Sequence, residues 1–256
     1  MKIKVLYEDS NILAIDKPSG ILVHPDQRSK AKTILDLLSK KYPKMEIVHR
    51  LDKETSGVML LAKNRKAHEF LKKQFMARTV KKIYIAIVSG SVKNDRGVIN
   101  RPIGRSPADF RRYSATRGAR GEMREAITQY KVLKRFLITT PEPLLNKEGR
   151  KASPPAKGER PKAEGVNFTY LEVRPKTGRT HQIRVHMKYL NHPVVGDELY
   201  NPGGAIPLPS LPLRKGEEKR GGRMMLHALS IEFRNLNGKI VKIESPLPKI
   251  FKHFAK

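Results

Sequence analysis

The segment from His49 to Gly57 carries the residue types best suited to chemistry, and its sequence is His-Arg-Leu-Asp-Lys-Glu-Thr-Ser-Gly. Asp52 follows Arg50 by two positions and precedes the apolar run 58–62. An unpaired buried carboxylate is costly, so an acid this close to a predicted buried strand needs a cationic partner or has a chemical role. The residues alone leave both open, because Asp is also common at turns, where it can form a structural ion pair.

The charge of the whole chain predicts the kind of partner. The 256 residues include 53 Lys and Arg but only 24 Asp and Glu, a formal net charge of +29. The basic residues are spread along the chain and not confined to a tail, with concentrations at 63–82, 101–124, 174–184 and 239–252. We therefore expect a nucleic acid as the partner, in preference to a merely solvated basic surface or an anionic membrane.

The absence of cysteine excludes several classes of site. With no Cys in the chain, there is no disulfide, no thiolate nucleophile and no thiolate zinc ligand. The first residues alternate polar and apolar types, and no apolar run approaches the ~20 residues of a membrane span. We expect a cytoplasmic protein with no membrane partner.

Hydrophobic spacing predicts more strands than helices. The predicted strands are 4–7, 12–15, 57–62, 82–88, 126–133, 169–173, 226–233 and 239–244. The predicted helices are 34–38 after a Thr33 cap, a helix from an Asn64 cap to about residue 78, 180–190 and 250–254. Because strands and helices neither alternate regularly nor segregate, the order favours an α+β fold with a mixed or largely antiparallel sheet.

Two segments differ in composition from the rest. Residues 139–165 and 202–223 are rich in Pro and Gly and predict flexible insertions. They hold 11 basic and six acidic residues, so they account for only five of the 29 net positive charges. The signal for a polyanionic partner therefore comes from the folded part.

Several ordered motifs together resemble the RluA-type RNA pseudouridine synthases. The matching segments are Lys17–Pro25, His49–Gly57, Lys82–Ala86, Arg101–Gly104, Gly178–His186, Pro193–Asp197 and Leu226–Ala228. The resemblance implies the pseudouridine synthase fold, in which helices flank a mixed, mostly antiparallel central sheet and the active-site cleft lies across it. It also implies one catalytic domain over 1–256, without the family's small N-terminal RNA-binding domain.

The implied reaction breaks the bond from ribose to uracil nitrogen, turns the base and forms a carbon–carbon bond. By the resemblance, Asp52 is the essential carboxylate, either as a nucleophile or as a base toward the ribose. Arg184 would pair with Asp52 and keep it ionised. Tyr84 would lie against the uracil and assist proton transfer from base carbon 5. No metal, redox or nucleotide cofactor is implied.

Strand alternation places Tyr84 on the face of Ala86 and Val88, opposite Ile85 and Ile87, but does not say which face forms the pocket. Only the resemblance assigns Tyr84 to the pocket. It likewise assigns further residues to substrate binding: Arg50 fills the space left by the flipped nucleotide, His49 supports the loop, Ile183 packs on the base, and Thr55 and Arg179 belong to the same matched motifs.

A basic stretch from Arg105 to Arg124 resembles a family loop that grips RNA phosphates. It contains Arg111, Arg112, Arg117 and Arg120, which we expect to contact RNA. The three histidines His49, His181 and His186 could suggest a metal cluster, but their place in the motifs favours polar support of the site.

Three classes of function remain to be compared. The leading hypothesis is a monomeric enzyme that isomerises specific uridines in structured RNA, with ribosomal RNA favoured over transfer RNA. The second class is an RNA-binding or ribosome-assembly factor with the same fold and no need for catalysis. A base-flipping glycosylase is the third, but it does not explain the complete set of motifs. Intact Asp52, Tyr84 and Arg184 favour the enzyme.

Overall fold

A computed structural model describes residues 3–25, 31–139, 165–203 and 223–255 of the protein. Its strands are β1 (Lys4–Glu8), β2 (Ile12–Lys17), β3 (Glu46–Ile47), β4 (Ser56–Ala62), β5 (Lys81–Ser89), β6 (Arg96–Asn100), β7 (Ile103–Arg105), β8 (Tyr113–Ser114), β9 (Arg120–Arg124), β10 (Ile127–Thr139), β11 (Gly165–Pro175), β12 (Leu226–Arg234) and β13 (Ile240–Glu244). Its helices are α1 (Ile34–Leu38), α2 (Arg65–Met76), α3 (Gln182–Tyr189) and α4 (Lys249–Ala255).

Most strands belong to one mixed sheet of ten strands. Its main path is β1-β2-β4-β12-β5-β11-β10-β6, with β13 paired to β12 and β3 paired to β4. Every described pairing in it is antiparallel except that of β4 with β12, which is parallel. The predicted α+β class, with a mixed and mostly antiparallel sheet, is confirmed.

The parallel contact between β4 and β12 requires a glycine. Gly57 has φ +112°, and a Cβ at this position would lie 2.2 Å from the backbone oxygen of Ala228. No other residue type allows this approach, so Gly57 sets the spacing of the two strands beside the segment that carries Asp52. Strand β4 itself is buried throughout, as expected for a central strand.

Alternation along β5 divides the core into two layers. Ala86 and Val88 pack in a buried cluster with Ile183 and Met187 of α3. On the opposite face, the neighbouring β5 residues Ile85 and Ile87 pack with Phe251 of α4. Tyr84 lies on the α3 side, with Ala86 and Val88, so the alternation predicted for this strand is correct.

The helix starts follow from local chemistry. The Thr33 hydroxyl accepts from the Asp36 N–H, and the Asp36 carboxylate accepts from the Thr33 N–H, which completes a capping box at α1. The Asn64 side chain accepts from the Ala67 N–H and caps α2. By contrast, α3 starts at His181 in a left-handed conformation, with no side-chain cap. Within the described ranges, no helix is long and apolar enough to cross a bilayer.

Some elements have no clear signal in the sequence. A small second sheet, in the order β8-β7-β9, spans 103–124 and overlaps the basic stretch from Arg105 to Arg124 that was expected to be a loop. All five residues of β9 are exposed, so it has no apolar alternation. The short strand β3 and the edge strand β6 were also not predicted. Residues 140–164 and 204–222, which make up most of the two proposed insertions, lie outside the described residues.

Candidate active site

A cavity of about 720 Å³ opens between the segment before β4, the end of α2, the start of β5 and the loop that leads into α3. All eight residues assigned by resemblance to catalysis or substrate binding line it: His49, Arg50, Asp52, Thr55, Tyr84, Arg179, Ile183 and Arg184. Tertiary structure therefore brings together residues that are up to 135 positions apart in the chain.

Asp52 lies in a turn before β4, four residues ahead of the first residue of the strand, Ser56. The turn is closed by a hydrogen bond from the Thr55 N–H to the Asp52 carbonyl (3.1 Å). The Asp52 side chain is 27% exposed, so it is only partly buried and faces the cavity it lines. This position keeps the carboxylate within reach of a substrate.

Lys17 anchors the turn from beneath. It is fully buried, and its ammonium donates to the carbonyls of Pro18, Lys53 and Thr55, each at 2.9 Å. Burial lowers the pKa of Lys17 to about 8, although the carboxylates of Glu54 and Asp52 oppose this shift. Two of the three acceptors, the carbonyls of Lys53 and Thr55, follow Asp52 within three residues. Lys17 therefore fixes the backbone that presents the carboxylate.

Arg184 connects Asp52 to a second, fully buried carboxylate. Its Nε and Nη2 donate to the two oxygens of Asp197 at 2.6 and 2.8 Å, and its Nη1 donates to Asp52 Oδ2 at 3.0 Å. Burial opposes the charge on Arg184, but these bonds and both carboxylate charges outweigh it and raise the pKa of the guanidinium. Arg184 is therefore permanently charged, and the fork on Asp197 fixes the direction of its remaining donor.

Asp52 keeps one oxygen available. Among the described residues, Arg184 is the only hydrogen-bond partner of the Asp52 side chain, and it uses Oδ2 alone. Oδ1 therefore has no partner in the described part of the chain. Because the carboxylate is held from one side only, the free oxygen is suited to act on a substrate as a nucleophile or as a base.

Tyr84 is half-buried and lines the cavity with Asp52. Burial, with a smaller contribution from the Asp52 charge, raises the pKa of Tyr84 above its usual value. The phenol therefore keeps its proton at neutral pH. The raised pKa favours stacking and hydrogen-bond donation by the phenol over the removal of a proton by a phenolate. Proton transfer is one part of the role that the resemblance implies for Tyr84.

His49 supports the floor of the cavity. Its Nε2 accepts a hydrogen bond from the Leu60 N–H (2.9 Å), and its ring stacks on Phe75 at a centroid distance of 4.8 Å. Burial lowers the pKa of His49 to about 3, with a smaller effect from the Lys82 charge. His49 as a whole is half-buried. The hydrogen bond from the Leu60 N–H also indicates a lowered pKa, because a ring nitrogen that accepts from an N–H is unprotonated.

The remaining assigned residues occupy different depths of the cavity. Ile183 and Thr55 are buried in its wall, at 6% and 2% exposure. Arg50 is exposed at the rim. Arg179 lies between these depths, and its Nε donates to the Glu125 carbonyl at 2.9 Å. The buried pair forms part of the cavity wall, and the two arginines add positive charge to the lining.

The electrostatics of the cavity are one-sided. Among the described residues that line it, seven are cationic: Arg50, Lys72, Arg78, Lys82, Lys176, Arg179 and Arg184. Asp52 is the single carboxylate in that lining. A cleft with this balance attracts a polyanion while it presents one acidic group at its base.

The loop before α3 depends on a residue that sequence reasoning did not single out. Gln182 accepts from the Thr177 hydroxyl (2.7 Å) and the Arg179 N–H (3.0 Å), and it donates to the Ile127 carbonyl and the Thr128 hydroxyl. These bonds join the loop to the start of β10. Gln182, Asp197 and Lys17 lie inside the recognised motifs, but only their tertiary contacts show what they hold.

The histidines do not form a metal cluster. His186 contacts the Thr128 hydroxyl through Nδ1 (2.8 Å) and the Arg101 carbonyl through Nε2 (3.0 Å). His49 and His181 are each engaged with other groups. Within the described residues, no three His, Cys, Asp or Glu side chains are grouped as metal ligands.

The four arginines expected to contact RNA lie outside the cavity lining. Arg111 and Arg112 both pair with Asp109, at 3.0 and 3.3 Å. Arg117 and Arg120 are exposed, the latter at the start of β9. They form part of the small second sheet and its loops, so the structure associates them with that sheet and not with the chemical centre.

Comparison with known proteins gives one consistent family. A family model described as RNA pseudouridylate synthase matches residues 11–189. An uncharacterized RNA pseudouridine synthase from Aquifex aeolicus is 38% identical over 207 residues, which cover 77% of this chain and 56% of that protein. A ribosomal large subunit pseudouridine synthase D from Xanthomonas campestris is 36% identical, covering 96% of this chain and 66% of the relative. The chain thus spans less than two-thirds of the length of either relative.

A solved structure agrees in fold. The structure of human RNA pseudouridylate synthase domain containing 1 matches 96% of this chain and 84% of its own, with a TM-score of 0.71 and 25% sequence identity. The predicted fold is therefore confirmed by a structural relative as well as by the order of the strands.

Proposed function

Because this chain belongs to the RNA pseudouridylate synthase family, we propose that it isomerises uridine to pseudouridine in RNA. The observation that carries the proposal is the charged chain Asp197–Arg184–Asp52, which holds one carboxylate at the base of a cationic cavity with its Oδ1 unengaged by the described residues. A carboxylate in this setting is paired with a guanidinium, oriented and reachable. These are the conditions for a group that attacks a substrate or removes a proton from it.

The reaction rearranges bonds within one nucleotide. The bond between ribose C1′ and uracil N1 breaks, the base turns, a bond between C1′ and C5 forms, and the proton on C5 is lost while N1 gains one. Asp52 Oδ1 serves this either by attack on the sugar or base, or by removal of a ribose proton. Both routes use the same oxygen, so the geometry of the site supports a catalytic role for Asp52 in either mechanism.

Tyr84 and Ile183 supply the surfaces for the base. Tyr84 lies in the same cavity as Asp52, with a phenol that stays protonated, and Ile183 is buried beside it in the wall. An aromatic ring and an aliphatic side chain can enclose a flat base without a charge of their own. The isomerisation needs such an enclosure, because the base must turn while it is detached from the sugar.

The target must leave its stack before Asp52 can reach it. Extruding a nucleotide costs a few kcal/mol, and a side chain that enters the vacated space offsets part of this cost. Arg50 lies two residues from Asp52, is exposed at the rim of the cavity, and has the length and charge for this task. Lys72 and Lys176, two other exposed cations of the lining, are available to the phosphates on either side of the extruded nucleotide.

We propose large-subunit ribosomal RNA as the substrate class, in preference to transfer RNA. The name of the Xanthomonas campestris relative supports this choice, since the similarity to it extends over 96% of this chain. The net charge of +29 is suited to a large folded RNA. Recognition of such an RNA depends on its shape and on unstacked loops.

Asp52→Asn tests the proposal directly. The amide keeps the shape of the side chain but removes its charge and basicity, so pseudouridine formation in an unmodified large-subunit RNA transcript should fall below detection while RNA binding is retained. Asp95→Asn is the matched control, because Asp95 is 80% exposed on another part of the surface. Formation of pseudouridine by Asp52→Asn at the wild-type rate would show that Asp52 is not the reacting group.

A mapping experiment in cells separates the enzyme from an RNA-binding factor. Mapping of pseudouridine across cellular RNA should show one or a few sites that disappear when the gene is deleted. These sites should not return when the Asp52→Asn variant is expressed in the deletion strain. Sites that return with the variant would contradict the catalytic role. Binding of the transcript without any pseudouridine formed by the wild-type protein would favour the non-catalytic class.

A further inference from the structure

His181 is one of two residues in the described cavity lining, the other being Arg78, whose backbone is left-handed. The φ of His181 is +54°, and this residue stands at the N-terminal boundary of α3, where its side chain caps nothing. A left-handed conformation is uncommon for residues other than glycine and costs free energy. Such strain persists where surrounding contacts impose it.

Two tyrosines fix the His181 ring. Tyr113 and Tyr200 each pack edge-on to it, with centroid distances of 5.9 and 5.6 Å and interplanar angles of 84° and 82°. The Tyr200 hydroxyl lies 2.9 Å from His181 Nδ1 and also accepts a hydrogen bond from the Tyr113 N–H at 2.9 Å. The ring is therefore held in plane and in direction.

These hydrogen bonds define the tautomer of His181. Tyr200 is only 5% exposed, and burial raises the pKa of its phenol to about 12, so the hydroxyl keeps its proton. A buried hydroxyl needs an acceptor for that proton, and His181 Nδ1 is the one within reach in the described part of the chain. Nδ1 therefore accepts, and the proton of the neutral ring lies on Nε2.

Burial, more than the surrounding charges, favours the neutral form of His181. Burial lowers its pKa; the facing groups Asp52 and Asp197 oppose this shift, while Arg184 and Arg50 add to it. Nε2 has no hydrogen-bond partner among the described residues and is not sealed from solvent. His181, which lines the cavity, thus carries an N–H donor that has no acceptor among the described residues.

We propose that His181 Nε2–H donates a hydrogen bond to a carbonyl oxygen of the extruded uracil. The inference rests on the proposed isomerase function and names a specificity residue for it. A neutral donor suits a neutral carbonyl oxygen, whereas phosphates are better matched by exposed cations of the lining such as Arg50, Lys72 and Lys176. The uracil edge loses its base-pairing partner on extrusion, and a protein donor replaces that hydrogen bond.

Two amide substitutions separate the nitrogen positions of His181. His181→Asn tolerates the left-handed backbone and keeps polar atoms near Nδ1 for Tyr200, but it has no group at the position of Nε2. His181→Gln is longer and can place an amide N–H near Nε2. On an unmodified large-subunit RNA transcript, we expect kcat/KM to fall about tenfold in His181→Asn and to be largely restored in His181→Gln. Equal activity of His181→Asn and wild type would overturn the proposal.

The acceptor is tested from the substrate side. Transcripts that carry 2-thiouridine or 4-thiouridine replace one carbonyl oxygen with sulfur, which is a weak acceptor. With one of the two transcripts, kcat/KM of the wild-type protein should fall by about the same factor as it falls in His181→Asn with the unmodified transcript. The same transcript should lower kcat/KM of His181→Asn little further. An equal fractional loss in both proteins with both transcripts would show that His181 does not bind a uracil carbonyl.

The tautomer is measured without reference to catalysis. Nitrogen-15 NMR of the His181 ring should show a protonated Nε2 in wild type, and Tyr200→Phe should increase the population with a protonated Nδ1. A wild-type ring protonated at Nδ1 would overturn the inference even if His181→Asn did not fold. If the wild-type protein forms no pseudouridine in any transcript, the proposed function fails, and the inference that rests on it fails for that separate reason.

Discussion

Replacement of Asp197 by Asn is the sharpest perturbation that the site offers. Asp197 has a fully buried side chain and binds Arg184 through both carboxylate oxygens, while Arg184 is itself only 8% exposed. The substitution keeps the volume of the side chain and one oxygen. It removes the negative charge and the acceptor of the 2.6 Å bond from Arg184 Nε.

The magnitude follows from burial. Removing one partner of a buried ion pair costs about 3–5 kcal/mol, because the other charge is left in a poorly solvated place. The remaining amide oxygen can still accept from the N–H groups of Leu199 and Tyr200, as Asp197 Oδ1 does at 3.0 and 3.1 Å. We therefore expect about 3 kcal/mol for Asp197→Asn and a larger loss, toward about 5 kcal/mol, for Asp197→Ala, which loses these bonds as well.

The expected effect on activity is a loss of kcat with little change in KM. Without the fork on Asp197, Arg184 is no longer directed toward Asp52 through Nη1 alone and can engage both of its oxygens. The oxygen Oδ1 would then be occupied before the substrate arrives. Asp197 does not line the cavity, so contacts to the RNA itself should change little.

Urea unfolding followed by circular dichroism measures the stability change. With an m-value of about 3 kcal/mol/M, the midpoint for Asp197→Asn should fall by about 1 M. Asp95→Asn is the matched control, since it weakens an Asp–Arg pair of equally short distance, 2.7 Å, at an acid that is 80% exposed. Surface pairs contribute about 1 kcal/mol or less. A loss for Asp197→Asn no larger than that of the control would refute the reasoning.

Two further predictions concern buried basic groups. Lys17→Met should lower kcat far more than it changes RNA affinity, because the carbonyls of residues 18, 53 and 55 lose their shared donor and the turn that holds Asp52 loosens. The control is Lys40→Met, at an exposed lysine. Equal losses of kcat and RNA affinity in Lys17→Met would contradict the anchoring role. The pKa of His227 is lowered by burial and the Arg223 charge to about 4, against an ordinary value of 6.5. Between these pH values the unfolded chain binds a proton that the folded chain does not, so the free energy of unfolding should decrease as pH falls, by up to about 1.4 kcal/mol per pH unit, and urea titrations at pH 7 and pH 5 should show a smaller decrease in His227→Gln.

Most of the fold could be predicted from hydrophobic spacing. Strands β4 and β5 are apolar runs that end in polar turns, and α1 and α2 begin at capping residues, so each has a local signal. Strands of the small sheet were not predicted, because β9 is exposed at every position and has no buried face to impose an alternation. The family resemblance, and not the spacing, assigned Tyr84 to the side of the pocket.

The start of α3 illustrates a different limit. Helical spacing predicted a helix over 180–190, but a helix that begins at a left-handed His181 without a side-chain cap has no sequence signature. The bonds of Gln182 to the start of β10 and the contacts of His181 with Tyr113 and Tyr200 hold the start of this helix in place. These partners are distant in sequence, so only packing identifies them.

By itself, the sequence determined the α+β class and the identity of the residues around Asp52, and it predicted a polyanionic partner, because periodicity, charge and ordered motifs are properties of the chain in one dimension. Tertiary structure alone decided what each of these residues can do. It placed Asp52 in an anchored turn, connected it through Arg184 to the buried Asp197, and left one carboxylate oxygen without a partner in the described chain. Hydrogen bonds and burial depend on which distant segments meet, and that is settled only when the sheet forms.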